Sequence, residues 1–476
     1  MLKAIVGSSV AIPLSALTEF DVEALKVDLT LKKRSTPSFA FGHKQDKISD
    51  FVFFYRIDQG YIILPRRFGI EYCAKKNIPV EDRRCDGDKI QIKFNEEMQR
   101  GKMELKVIQD PIVDDVIRGM TFDGSHSGLL QAGTGTGKTV MGSKIISHFG
   151  RRTLIVVHTE FLMNQWRNEL MMFTDLKEDE IGFIQQDVRD TSNKKVVIGM
   201  VQTIIKREFT SQERKAFGLV MYDECHHLPA EEFSSAMLKF DAKYALGLSA
   251  TPKRFDGMDL LLGYGLGPRL NENAAAPQMV PDIYIRAFQC SIPESKYMQM
   301  AEFQGKRQRV ANLAKLTNEV VKIGERNGFI LNIILQAAKR DRKIMVFSSR
   351  IAQLKALKAA FDLQMNTGLT AMFIGGMKEA EIEAAKKRQI MFCTYQYAAE
   401  ALNVPDRDCL VMATPISNVR QVIGRILRAH DGKKNPIVVD ILDEGVHKLE
   451  TMQSTRAREY KAMRANVHLP NGQLTR

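Results

Sequence analysis

The stretch "QAGTGTGKT", residues 131–139, constrains this chain more than any other. It follows the apolar "GLL" and precedes "VMGSKIISHF", which has helical spacing, so a strand must run through a Gly-rich loop into a helix. Such a loop turns its backbone N–H groups toward an anion at the positive end of the helix. Gly133, Gly135 and Gly137 permit φ > 0 there, with Thr134 and Thr136 between them. Lys138 is then placed to reach the β- and γ-phosphates of a nucleoside triphosphate, and the Thr139 hydroxyl to hold Mg²⁺. The first loop position is Ala132 in place of the usual Gly.

A phosphate loop lacks a water-activating carboxylate, which another strand of the same sheet must supply. "GLVMYDECHH" ends an apolar run in two acids, which puts Asp223 and Glu224 at the C-terminal end of a strand, where open α/β sheets bind ligands. Asp223 is expected to orient Mg²⁺, and Glu224 to position and deprotonate the attacking water. Zinc is the competing use of this segment. Cys225, His226 and His227 are consecutive, whereas ligands in structural zinc sites are spaced, and the two histidines read equally well as polar loop residues.

From about residue 105, apolar runs of strand length ("TLIVVH", "KVVIGM", "ALGLSAT") alternate with helical segments such as "EFLMNQWRNELMMF". That alternation predicts a parallel sheet covered on both faces. "NENAAAPQMVPD", 271–282, reads as a linker, followed by a basic stretch expected to be helical over 294–340. The alternation then resumes in "KIMVFSS", "AMFIGG", "IMFCT", "CLVMAT" and "PIVVDIL". The expected fold is α/β: a small N-terminal α+β module over 1–104, then two tandem parallel-sheet domains over 105–270 and 271–476.

The formal charge of +13 is uneven: residues 291–476 carry +12, against +3 for 1–104 and −2 for 105–290. A confined basic excess points to a polyanion lying against that region. The six cysteines form no CxxC pair, so a reducing, cytoplasmic compartment is expected. No apolar run approaches the length of a membrane span, and "MLKAIVGSSVAIPLSAL" reads as a first strand because Ser8, Ser9 and Pro13 interrupt it.

Together, "AGTGTGKT" and "DECH" resemble the ATPase motifs of superfamily 2 helicases, and further motifs follow in order from about 105 to 460. "LKVIQ" is similar to the segment whose Gln contacts adenine, which implies that role for Gln109. "TLIVVHTEFLMNQW" resembles the first nucleic-acid motif, with His158 where Pro is usual, and "LSATP" the motif that couples hydrolysis to movement through Ser249 and Thr251. "QVIGRILR" resembles the QxxGRxxR motif of the second domain, implying that Gln421, Arg425 and Arg428 act on the nucleotide. Motif position implies nucleic-acid contacts by Thr159, Gln202, Ser348, Arg350 and Thr394. Met200, Ala401 and Asn403 depart from the usual residues near the nucleic acid.

The resemblance implies two RecA-like domains, ATP and Mg²⁺ as nucleotide and metal, and DNA as partner. "TPKRFDG" and "VVDILDEGVHKLETMQSTRAREY" look most like the branch with XPB-type and phage UvsW-type helicases, which implies remodelling of forks and Holliday junctions in replication, recombination or repair. Its locale would be the nucleoid or the cytoplasm of a phage-infected cell. The other readings are a translocating restriction subunit, an RNA helicase, and a nucleic-acid scaffold with a dead ATPase. The scaffold would be expected to have lost one of Lys138, Asp223, Glu224 or Arg428, and all four are present. For the leading module, "GYIILPRRFG" admits either contact with duplex DNA or packing that braces the first motor domain.

Overall fold

The computed structural model describes residues 2–32, 51–100, 103–122, 124–133, 136–225, 235–250, 259–271, 279–303, 306–365, 368–395, 404–417, 419–427, 430 and 432–475. These divide into two compact units, Met1–Ala276 and Pro277–Arg476. Most of the linker segment, residues 272–278, lies outside the described residues.

The first unit opens on a small sheet. Its strands are β1 (Ala4–Val6), β2 (Ser9–Pro13), β5 (Arg56–Asp58), β6 (Tyr61–Pro65) and β7 (Val80–Asp82), in the order β5-β6-β2-β1-β7. Helices α1 (Glu19–Asp28) and α2 (Arg66–Lys76) accompany them, with a separate pair, β3 (Thr30–Lys32) and β4 (Phe51–Phe53). Alternate residues of β2 and β6 are buried, as expected of strands with one covered face. Thr18 caps α1: its side chain accepts from the Asp21 N–H while the Asp21 carboxylate accepts from the Thr18 N–H.

A larger, parallel-sheet fold follows: α3 (Glu96–Arg100), α4 (Met103–Phe122), β8 (Ser127–Gln131), α5 (Lys138–Phe149), β9 (Thr153–Val157) and α6 (Glu160–Phe173). After these come β10 (Ile181–Gln185), β11 (Val188–Asp190), β12 (Val196–Met200), β13 (Leu219–Tyr222) and β14 (Tyr244–Ser249). The sheet order is β11-β10-β12-β9-β13-β14-β8, parallel throughout except for the edge strand β11. All five residues of β9 and all four of β13 are buried, because helices cover both faces of a parallel sheet.

The leading sheet does not pack by itself. Val6, Val10, Ile62 and Leu64 belong to the same buried cluster as Val156, Tyr222, Ala245 and Leu262 of the larger fold. Phe68 on α2 meets Tyr264 edge-on at 5.0 Å. The Ser8 N–H donates to Asp241 Oδ1 at 3.0 Å. Arg66, buried at the start of α2, donates to the carbonyls of Ala242 (2.8 Å), Ser125 (3.0 Å) and Lys243. These contacts are those of the bracing reading. Arg66→Leu should destabilise the first unit by on the order of 3 kcal/mol, because the carbonyls lose charged donors in a dry setting. Thermal unfolding of the full chain tests this; an unchanged midpoint would show the bonds to be dispensable.

The second unit holds an eight-stranded sheet, in the order β19-β20-β18-β21-β22-β15-β23-β24. Its strands are β15 (Asp282–Gln289), β18 (Ile344–Ser348), β19 (Thr370–Phe373), β20 (Ile390–Thr394), β21 (Cys409–Met412), β22 (Ile437–Glu444), β23 (Asn466–His468) and β24 (Leu474–Thr475). The pairs from β19 through β15 to β23 are parallel, and β24 returns antiparallel to β23. The remaining helices are α7 (Val201–Lys206), α8 (Ser211–Lys215) and α9 (Asp259–Gly265) in the first unit, and α10 (Leu313–Val320), α11 (Gly324–Lys339), α12 (Ile351–Gln364), α13 (Glu379–Lys386), α14 (Arg420–Ile426) and α15 (His447–Ala462) in the second. Residues 294–340 are not helical throughout, as the sequence suggested. After a single 3-10 turn at Glu294–Lys296, Met298–Phe303 and Lys306–Ala311 form an antiparallel hairpin, β16 and β17, and α-helix begins at Leu313. None of the described helices is long and apolar enough to cross a membrane.

Candidate active site

The loop after β8 is tied to the sheet beside it. The Ala132 N–H donates to the Ser249 carbonyl at 3.0 Å, and Ser249 pairs in register with Gln131, so Ser249 stands at the root of the loop. Thr136 closes the turn on Gly133: its hydroxyl and its N–H both donate to that carbonyl, at 2.7 and 3.3 Å. Gly137 has φ 79, in the left-handed region that favours glycine, and a Cβ there would lie 2.4 Å from Gln109 Nε2. The Gln109 amide is buried and donates to the Thr136 carbonyl at 2.8 Å, while its own oxygen accepts from Gln99 Nε2 at 2.9 Å. Gln109 therefore meets the loop itself, steadied by Gln99, a residue without a motif to mark it. Thr134 and Gly135 lie outside the described residues.

Lys138 opens α5, and its Nζ lies 2.9 Å from Glu224 Oε1. Thr139, next on the helix, is buried. Asp223 and Glu224 follow the last residue of β13, which lies between β9 and β14, so loop and acids share one edge of the sheet. Glu224 takes φ 44, an uncommon conformation for a residue with a side chain, so surrounding structure must hold it there. Asp223 is fixed at both oxygens: Oδ2 accepts from Trp166 Nε1 at 2.8 Å and Oδ1 from the Glu224 N–H at 2.9 Å. Burial, then the Glu224 charge, holds the Asp223 carboxyl above the usual carboxylate range, against the opposing pull of Lys138 and Trp166.

This donor set fits a hard divalent cation. A buried carboxylate raised by burial and a neighbouring acid, together with the buried threonine that follows Lys138, has the oxygen chemistry that Mg²⁺ prefers and the excess negative charge that a cation relieves. His226, His227 and Thr251 lie outside the described residues.

Thr159 and Gln202 come together at the ends of neighbouring strands. Thr159 caps α6 by accepting from the Leu162 N–H at 3.3 Å, and Gln202 Nε2 donates to the His158 carbonyl at 3.2 Å. In the second unit, Arg350 reaches α10 through Asn318 Oδ1 (2.6 Å) and the Ala314 carbonyl (3.1 Å), and Thr394 ends β20, half-buried. Ser348 does not suit the nucleic-acid contact expected of it. It is fully buried, its hydroxyl donates to Gln353 Oε1 at 2.7 Å and accepts from the Arg350 N–H at 3.0 Å, so it orders the start of α12.

Arg425 lies half-buried on α14, whose first turn contains Gln421; the Gln421 side chain and all of Arg428 lie outside the described residues. The segment between β21 and α14 hangs from two buried ion pairs that the sequence did not announce. Arg326 grips Asp443 through Nε and Nη2 (2.6 and 2.9 Å) and donates to the Ala413 carbonyl at 2.6 Å. Arg456 grips Asp440 (2.9 and 2.8 Å) and donates to the Ile416 carbonyl at 2.9 Å, while the Tyr460 hydroxyl adds a bond to Asp440 at 2.8 Å.

Residues 102–254 match the family model described as "Type III restriction enzyme, res subunit". A protein of Acanthamoeba polyphaga mimivirus that bears the name of an ATP-dependent RNA helicase, L396, is 28% identical over 416 residues, covering 86% of this chain and 76% of its own. The protein named DNA 3'-5' translocase XPB2 of Sulfurisphaera tokodaii is 24% identical over 413 residues, covering 79% of this chain and 88% of its own. Among solved structures, the ATP-dependent Type ISP restriction-modification enzyme LlaBIII bound to DNA shares the fold at a TM-score of 0.50 and 15% identity, over 73% of this chain and 29% of that one. T4 UvsW aligns over 98% of this chain and 99% of its own at 16% identity, with a TM-score of 0.39 that is too low to establish a common fold. With the phosphate loop and its paired acids at the carboxyl ends of parallel strands, a second parallel-sheet unit, and relatives of this kind, the chain is similar to the ATP-dependent helicases of superfamily 2.

Proposed function

We propose that the chain is an ATP-driven DNA motor that unwinds or remodels branched DNA such as forks and Holliday junctions. The observation that carries the ATPase part is the 2.9 Å pair between Lys138 and Glu224 at the edge of the sheet, with Asp223 held beside it. Lys138 exchanges Glu224 for the phosphates of the nucleotide, and Glu224, released, takes the proton of the attacking water. The loop from Gly133 through Thr139 cradles the phosphates and Gln109 meets the adenine. Thr139 and Asp223 would hold Mg²⁺, which neutralises charge gathering on the transferred phosphoryl group.

Gln421, Arg425 and Arg428 keep the nucleotide-directed roles that their motif implies, and an arginine finger contributes roughly 10³- to 10⁵-fold in rate. Ser249 and Thr251 pass the outcome of hydrolysis to the grip on nucleic acid, which Thr159, Gln202, Arg350 and Thr394 supply. The +12 charge of residues 291–476 supports a nucleic-acid partner, and a relative named as a DNA translocase supports DNA. The mimivirus relative's name favours a second reading, an RNA helicase.

The deciding experiment is ATP-dependent strand separation on matched DNA and RNA forks, four-way junctions and plain duplexes. The expected result is turnover of branched DNA ahead of plain duplex and of RNA, with binding that weakens steeply as salt rises because the contacts are to phosphates. Preference for RNA forks would replace the DNA reading, and affinity indifferent to salt would remove the backbone-grip argument.

A further inference from the structure

We infer that Trp166 is a positioning residue for the magnesium-holding carboxylate, tying Asp223 to the helix that begins with Lys138; this rests on the ATPase reading above. Trp166 is the single tryptophan of the chain and is fully buried on α6. Its indole N–H donates to Asp223 Oδ2 at 2.8 Å, while the Glu224 N–H holds the other oxygen. The carboxylate is thereby clamped from opposite ends, with its rotation fixed. The far edge of the same ring is seated on α5: a Cβ at Gly142 would come within 2.6 Å of Trp166 Cη2, so only glycine at that position admits the ring.

A buried indole N–H needs an acceptor, and here the acceptor is an acid of the nucleotide site. One rigid side chain thus spans two elements of the site, the phosphate-loop helix and the strand bearing the acids. Groups that orient a metal-binding carboxylate from outside typically change metal affinity or activity by 10- to 100-fold when lost. The remaining lone pairs of Asp223 are the ones that would be left to hold a cation, and the indole and the Glu224 N–H together set their direction.

The test uses the full chain. Trp166→Phe removes the N–H and keeps a ring. It should raise the Mg²⁺ concentration that gives half-maximal hydrolysis by about 10- to 100-fold, while the KM for ATP at saturating Mg²⁺ stays the same. Gly142→Ala, which displaces the ring instead, should move the same quantity in the same direction. In the unaltered chain, emission from Trp166 should change when Mg²⁺ is added to the ADP-bound protein and not when ADP is added with a chelator, and Asp223→Asn should abolish the response.

An unchanged Mg²⁺ requirement in Trp166→Phe overturns the proposal. So does tryptophan emission that ignores Mg²⁺ while calorimetry shows ADP bound, and this measurement decides alone if the variant does not fold. Failure of the unaltered chain to bind ADP at all would sink the nucleotide reading, a result distinct from a silent tryptophan in a nucleotide-bound protein.

Discussion

Replacing Glu224 by Gln should lower ATP turnover by about 10²- to 10⁴-fold without loss of nucleotide binding. The change is nearly isosteric, so it removes the proton acceptor and the negative charge and little else. Lys138, which pairs with Glu224 at 2.9 Å, is freed for phosphate, so affinity should hold or rise. Asp223 should ionise more readily, because one cause of its raised carboxyl is the Glu224 charge. Single-turnover hydrolysis and equilibrium ADP binding separate these effects. A Glu224→Gln chain that hydrolyses ATP at the unaltered rate would require another base and would break the assignment.

Arg456→Met should destabilise the second unit by about 3–5 kcal/mol, the usual cost of leaving one member of a buried ion pair alone. Asp440 is only 1% exposed and would keep the Tyr460 hydroxyl while losing both guanidinium bonds. The Ile416 carbonyl, ahead of α14, would lose its donor in the same stroke. The companion variant Arg456→Met with Asp440→Leu removes the stranded charge and should recover most of the loss, since a buried pair is often replaceable by apolar residues. Urea unfolding of the full chain, followed by probes in each unit, measures both. If the single variant unfolds at the unaltered midpoint, the pair contributes nothing to stability and the argument for it fails.

The motor strands were legible because covered parallel strands are continuous apolar runs: "TLIVV" and "LVMY" announce β9 and β13 without help from any neighbour. The phosphate loop was legible because its backbone geometry demands particular residues at fixed spacing. Contacts between residues distant in the chain were not. Arg326 and Asp443 lie 117 residues apart, and an arginine in "GERNGF" looks like any solvated charge until the fold buries it.

The hairpin over 298–311 is not legible as strand because "KRQRV" lacks the apolar alternation by which a half-buried strand announces itself. Ser348 was assigned by its place in a motif, and motif position carries no information about exposure. Trp166 stood within a quoted motif, but its bond to Asp223 depends on α6 crossing beside β13, which only three-dimensional packing sets.

The shared cluster that joins Val6, Val10 and Leu64 to Tyr222 and Ala245 has a practical consequence for truncation. A polypeptide starting at residue 105 would turn an oily flank of the motor toward water, and it would tend to clump before its catalysis could be assayed. Loss of fork binding after such a cut would therefore report damage to the engine as readily as loss of a DNA grip. Point changes on the outer side of the leading sheet, away from that seam, are the cleaner way to ask what it touches.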